Sequence, residues 1–146
     1  MKRSISILTA VGLFAAAPCV WAQTTLPAQE MRKEVYLLMN QAELSWLTLG
    51  SEQVGASLAE ACFNIATLNG DLQRLPYFSE DTENRVALNE MISEMKSERL
   101  RDNVVSALCR GYKPTQFEAA KSAALQSMLN VKETASRVLR LLREAL

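Results

Sequence analysis

Across residues 28–49 the apolar side chains of Met31, Val35, Leu38, Met39, Ala42, Trp46 and Leu49 recur at the three- and four-residue spacing that lines one face of an α-helix. Gly50 closes the pattern. Ser51 then offers an N-cap with Glu52 in the first turn, and Val54, Leu58, Ala61, Cys62, Ile65 and Leu68 form a second stripe that ends at Asn69-Gly70. Two stripes separated by so short a break predict an antiparallel helical hairpin.

Residues 71–81 interrupt the helical rhythm. Pro76 disfavours helix at Leu75, and Tyr77-Phe78-Ser79-Glu80-Asp81 follows. Helical character resumes near Thr82 and continues to Arg110, with Gly111 as a stop and Pro114 beyond it. Within this third segment Leu88, Met91, Ile92 and Met95 point one way, whereas Leu100, Val104, Ala107 and Leu108 point roughly 160° away at 100° per residue. The polar run Lys96-Ser97-Glu98-Arg99 lies between the two sets, and Ser97 could cap a new helix. Thr115 with Glu118 reads as a capping box for the last helix, whose stripe is Phe117, Ala120, Ala124, Met128, Val131, Ala135, Val138 and Leu142. From Met128 onward that stripe approaches a coiled-coil seam. No strand-like alternation, internal repeat or interdomain linker competes with the helices. The expected fold is all-α, a compact antiparallel bundle of four to five helices in a single domain over residues 23–146.

The chain opens differently. Met1-Lys2-Arg3, an uncharged apolar stretch over residues 4–17 and the small-x-Ala ending Val20-Trp21-Ala22 have the organisation of a cleaved secretory signal over residues 1–22. The expected cleavage falls after Ala22, which places the mature chain from Gln23 onward in the periplasm or outside the cell. The apolar stretch is shorter than the ~20 residues of a bilayer-spanning helix, so no membrane span is expected. Lipidation of Cys19 would want a small residue before it, and Pro18 stands there.

Processing changes the cysteine and charge balance. Cys19 leaves with the leader, and Cys62 and Cys109 become an even pair in an oxidising compartment, the usual setting for a disulfide. If the second and third segments were simple antiparallel neighbours, Cys62 would stand level with Glu90, and a straight helix would carry Cys109 roughly 30 Å past it. A disulfide tolerates a Cα separation of only about 4.4–6.8 Å. A break near Ser97 that folds residues 100–110 back solves the problem; a longer connection over residues 71–81 that slides a straight helix along the bundle is the alternative. Loss of Lys2 and Arg3 leaves fourteen basic against sixteen acidic residues, a formal charge of −2. That balance gives no support to nucleic-acid or anionic-membrane binding.

Chemistry is sparse. The chain has no histidine, the commonest general base and metal ligand. It also lacks the glycine-rich and nucleophile motifs of phosphate binding and acyl transfer. Met91 and Met95 could present thioethers to Cu(I), yet they share a face with Leu88 and Ile92 and read first as core. Lys132, Arg137, Arg140 and Arg143 form a basic flank on the last helix. Glu80, Asp81 and Glu83 match no Ca²⁺ loop and suit the start of a helix. The adjacent aromatics Tyr77 and Phe78 beside those acids are candidate interface anchors, or else plugs in one end of the bundle. With no cofactor or metal expected, the sequence points away from an enzyme and toward a module that binds another exported protein, such as an immunity or inhibitor protein or a secretion or assembly accessory. The candidate partner-binding residues are Tyr77, Phe78, Glu80, Asp81 and Glu83. An oligomeric helical structural protein, homodimeric through the last helix, is the alternative, and a carboxylate-based enzyme or small-ligand carrier ranks below both.

Overall fold

The computed structural model describes residues 25–50, 57–111 and 113–145, so the expected leader and its cleavage position lie outside the described residues. A two-residue strand β1 (Thr25–Leu26) leads into α1 (Ala28–Gly50), followed by α2 (Leu58–Arg74), a second short strand β2 (Tyr77–Phe78), α3 (Arg85–Ser97), α4 (Asp102–Cys109) and α5 (Pro114–Ala145). The all-helical bundle expected from the periodicity is therefore present, with five helices among the described residues. The two strands were not foreseen. They pair in parallel, with Thr25 opposite Tyr77 and Leu26 opposite Phe78, and two residues are too few for alternation to register.

The 32-residue α5 is the spine. It packs along α1 and against α3 and α4, while α2 lies on α1 and α4. Its stripe from Ala120 through Ala124, Met128, Val131, Ala135, Val138 and Leu142 is wholly buried. The seam offered as an alternative contact between two copies is thus occupied within the fold. From α1 come Met31, Val35, Leu38, Ala42 and Leu49, from α2 Ala61, Ile65 and Leu68, and from α3 Leu88, Ile92 and Met95, all joining one core. The Met91 and Met95 pair is accordingly packing, with Met95 fully enclosed. Gly50 ends α1 where α5 approaches closely: a Cβ there would stand 2.9 Å from Leu125 Cδ2. A Cβ at Gly111 would fall 2.5 Å from the Ala107 carbonyl oxygen, so only glycine lets the chain leave α4 there.

Helix ends differ from the sequence pattern in instructive ways. Ser51 and Glu52 lie outside the described residues; α2 opens instead at a complete capping box, with the Ser57 hydroxyl accepting from Glu60 N–H and the Glu60 carboxylate accepting from Ser57 N–H. At its other end α2 runs through Asn69-Gly70 to Arg74, because Leu72 and Leu75 continue the buried stripe. Lys96 Nζ donates to the carbonyls of Gln73 and Leu75 at 3.1 and 2.6 Å and so satisfies that terminus from another helix. The last helix begins at Pro114, with Phe117 N–H donating to Lys113 O, which puts Thr115 inside the first turn.

The third segment breaks where its buried face reverses, between Ser97 and Asp102. Ser97 is not the new cap; its hydroxyl donates to Glu94 O, and Arg101 precedes α4 without a side-chain cap. Nor does the chain fold back. Contacts of Glu94 with Arg137, of Glu98 with Asn130 and of the residues around Ala107 with those around Ala120 show α3 and α4 following α5 in one direction. Against α2, Lys96 stands level with Gln73, Leu100 with Asn69 and Cys109 with Cys62. The extended connection supplies the shift. Residues 75–84 run out beside α3, which then returns, so that α4 arrives alongside the first half of α2 and the Cys62–Cys109 disulfide closes with a Cα separation of 6.1 Å.

Candidate protein-interaction surface

The connection between α2 and α3 is held as a strap rather than left as a loop. Asn89 on α3 grips Phe78 at both backbone groups: Phe78 N–H donates to Oδ1 at 2.7 Å, and Nδ2 donates to Phe78 O at 3.2 Å. The amide side chain thereby acts as a neighbouring strand on one side of β2, while Ser79 N–H donates to Leu26 O on the other. This pins Phe78 inward, where it is 2% exposed. Of the two candidate aromatics, Phe78 is the plug.

Tyr77 points the other way along the same strand. Its ring is half-buried, its hydroxyl lies 3.2 Å from Ser93 Oγ, and Lys96 Nζ sits 5.2 Å from the ring centroid. It forms one wall of an open groove of about 480 Å³ along α3, lined also by Arg85, Val86, Asn89, Glu90 and Ser93. Val86 is 67% exposed there. Sequence reasoning missed these α3 residues; the available signal was an apolar Val86 outside the phase of the Leu88, Ile92 and Met95 stripe.

The three acids separate in role. Glu80 is half-buried and accepts the Ala28 N–H, so its carboxylate caps the N-terminus of α1 from 52 residues away in sequence. Asp81 is 94% exposed at its side chain and stands 3.8 Å from Arg85. Glu83 is exposed in the turn before α3. Among the described residues no group of three His, Cys, Asp or Glu side chains is arranged to hold a metal ion.

Elsewhere the surface divides by charge and polarity. On the basic flank of α5, Lys132 pairs with Glu43 and lies 5.7 Å from the Trp46 ring centroid, and Arg137 is 3.6 Å from Glu94; Arg140 and Arg143 are exposed. A second open groove, about 620 Å³, runs between α4 and the start of α5 and is lined by Ala107, Ala119, Ala120 and Ala123 together with the polar Asn103, Ser106, Arg110 and Gln116. The outer side of the α1–α2 hairpin carries large exposed apolar side chains: Tyr36, Leu37 and Leu44 on α1, and Phe63, 72% exposed, on α2. No described helix is long and apolar enough to cross a membrane. The chain matches no protein-family model, and no curated protein or solved structure proves similar to it, so the reading of these surfaces rests on their own chemistry.

Proposed function

We propose that this chain is an exported, non-enzymatic module that binds another exported protein, in the manner of an immunity or inhibitor protein or an assembly accessory. It acts in the periplasm after cleavage between Ala22 and Gln23. The observation that carries the reading is the groove beside Tyr77: an aromatic wall and the exposed Val86, bordered by the charged side chains of Arg85 and Glu90 and by Asp81 beside Arg85, combine an apolar centre with a polar rim as protein interfaces do. The disulfide supports it, since it removes both remaining thiols as nucleophiles. So does the absence of histidine from the sequence.

The test is affinity capture from a periplasmic extract with the native chain and with Val86→Asp, whose exposed position keeps folding out of the comparison. The native chain should retain a stoichiometric partner, and Val86→Asp should weaken its binding by about 2 kcal/mol or more. Intact mass of the exported chain should begin at Gln23. Equal retention by both forms removes the groove from the interface, and substrate turnover with no protein partner overturns the reading.

A further inference from the structure

Residues 61–70 of α2 contain no charged side chain. A surface helix of a small bundle ordinarily carries charge on its solvent side. Here that side presents Ala59, Phe63, Ala66 and Gly70, which share a face at 100° per residue and point away from the buried Ala61, Ile65 and Leu68. Thr67, at the edge of this face, turns its hydroxyl back onto Phe63 O at 3.1 Å, which leaves its methyl group to the surface. The Asn64 contacts with Gln41 and Thr48 set the register of the hairpin and place Leu44, 45% exposed, on the neighbouring helix at the level of this face. The result is one large aromatic knob beside a shelf of small residues.

Charges of opposite sign bound the face at its two ends. Glu60, one of whose carboxylate oxygens accepts the Ser57 N–H of the capping box, stands at its N-terminal end and Arg74, with a side chain 73% exposed, at its C-terminal end, roughly 21 Å apart along the helix. Arg74 bonds Asp71 at 3.1 Å within its own helix, an exposed pair worth little and easily exchanged. We propose that the outer face of α2 pairs with the same face of a second copy, antiparallel about a two-fold axis near Thr67. Each Phe63 then meets the partner helix beside Gly70, and each Glu60 meets the partner's Arg74. The arrangement is self-complementary, as a two-fold interface requires. A parallel pairing would instead set Glu60 against Glu60 and Arg74 against Arg74. Gly70 has a further part: the Arg74 guanidinium lies over it, within 3.1 Å of where a Cβ would stand, and so is placed to meet the incoming Phe63 ring. This pairing uses a different face from the groove beside Tyr77 and does not depend on it.

Sedimentation velocity and light scattering across a dilution series of the oxidised, full exported chain read the association directly. Mass should rise from one chain toward two with concentration. Phe63→Asp should weaken association by roughly 30-fold or more, with far-UV circular dichroism and melting temperature matching those of the native chain at dilutions where both are monomeric, because Phe63 is already solvated in the monomer. Arg74→Glu and Glu60→Arg should each weaken self-association, and an equimolar mixture of the two should associate again, since the mixed dimer restores both opposite-charge contacts. A native chain that stays monomeric throughout the series overturns the proposal, as does a dimer indifferent to Phe63→Asp. Failure of the two charge variants to associate with each other overturns the antiparallel arrangement.

Discussion

Two neighbouring aromatics have opposite fates because a strand sends consecutive side chains to opposite faces. Phe78 is enclosed in the core and Tyr77 borders an open groove, so the two substitutions separate cleanly. Phe78→Ala should cost about 3–5 kcal/mol in urea denaturation, the range for emptying a core aromatic site. Tyr77→Ala removes a half-buried ring packed against the core, an exposed hydroxyl contact to Ser93 and a cation over the ring, and should cost only about 1–2 kcal/mol. Equal costs would contradict this division of roles. The sequence marked the pair as noteworthy and could not orient it, because the side that faces inward is decided by Asn89, eleven residues on. Asparagines carry much of what was illegible. Asn69 grips Leu100 at both backbone groups across 31 residues, as Asn89 grips Phe78, yet Asn69-Gly70 read locally as a helix stop. Propensity records what an amide does to its own backbone and says nothing of which distant backbone it meets. Phe63 and Val86 were legible in principle, as large apolar residues out of phase with a buried stripe.

The reversal of apolar direction around Ser97 located the break between α3 and α4 correctly, because a phase jump of roughly 160° cannot be carried by one regular helix. The geometry attached to it was incomplete. A fold-back was expected to bring Cys109 level with Cys62, whereas the displacement comes from the strap, whose residues bond to α1, β1 and α3 at once. Periodicity describes an element's own axis and carries no information on its register against a neighbour. The strap's order rests on these few bonds, and hydrogen exchange can resolve them. The amides of Phe78 and Ser79 should be protected despite their irregular surroundings, the first by Asn89 and the second by Leu26. Asn89→Ala should abolish the protection at Phe78 and lower stability by about 1–3 kcal/mol, since it leaves a buried N–H and C=O without partners. Protection at Phe78 that survives the substitution would mean that another group holds the strap.

At the scale of the whole molecule the helices are unequal partners. α1 and α5 are long and pack along each other, while α4 has eight residues, of which Leu108 alone is buried. A helix so short has no independent stability in water, where even good helix formers need about 12–15 residues. It is held by α5 on one side and by the Cys62–Cys109 bond to α2 on the other. That bond closes a loop with a sequence separation of 47, which encloses most of α2, the strap and α3. Constraining such a loop in the unfolded chain implies about 4 kcal/mol of stabilisation, and loss of a native disulfide in a small exported domain costs 2–5 kcal/mol. Cys62→Ser with Cys109→Ser should therefore lower the unfolding free energy extrapolated from urea denaturation by an amount in that range while most helical circular dichroism persists, because the α1–α5 packing does not pass through the bond. The residual loosening should be local. In the disulfide-free protein the amides of α4, and those of Leu100 beside it, should exchange much faster, whereas the central amides of α1 and α5 should fall only with global stability. Uniform acceleration across all five helices would show instead that α4 unfolds only with the rest, and that the disulfide acts on the unfolded chain alone.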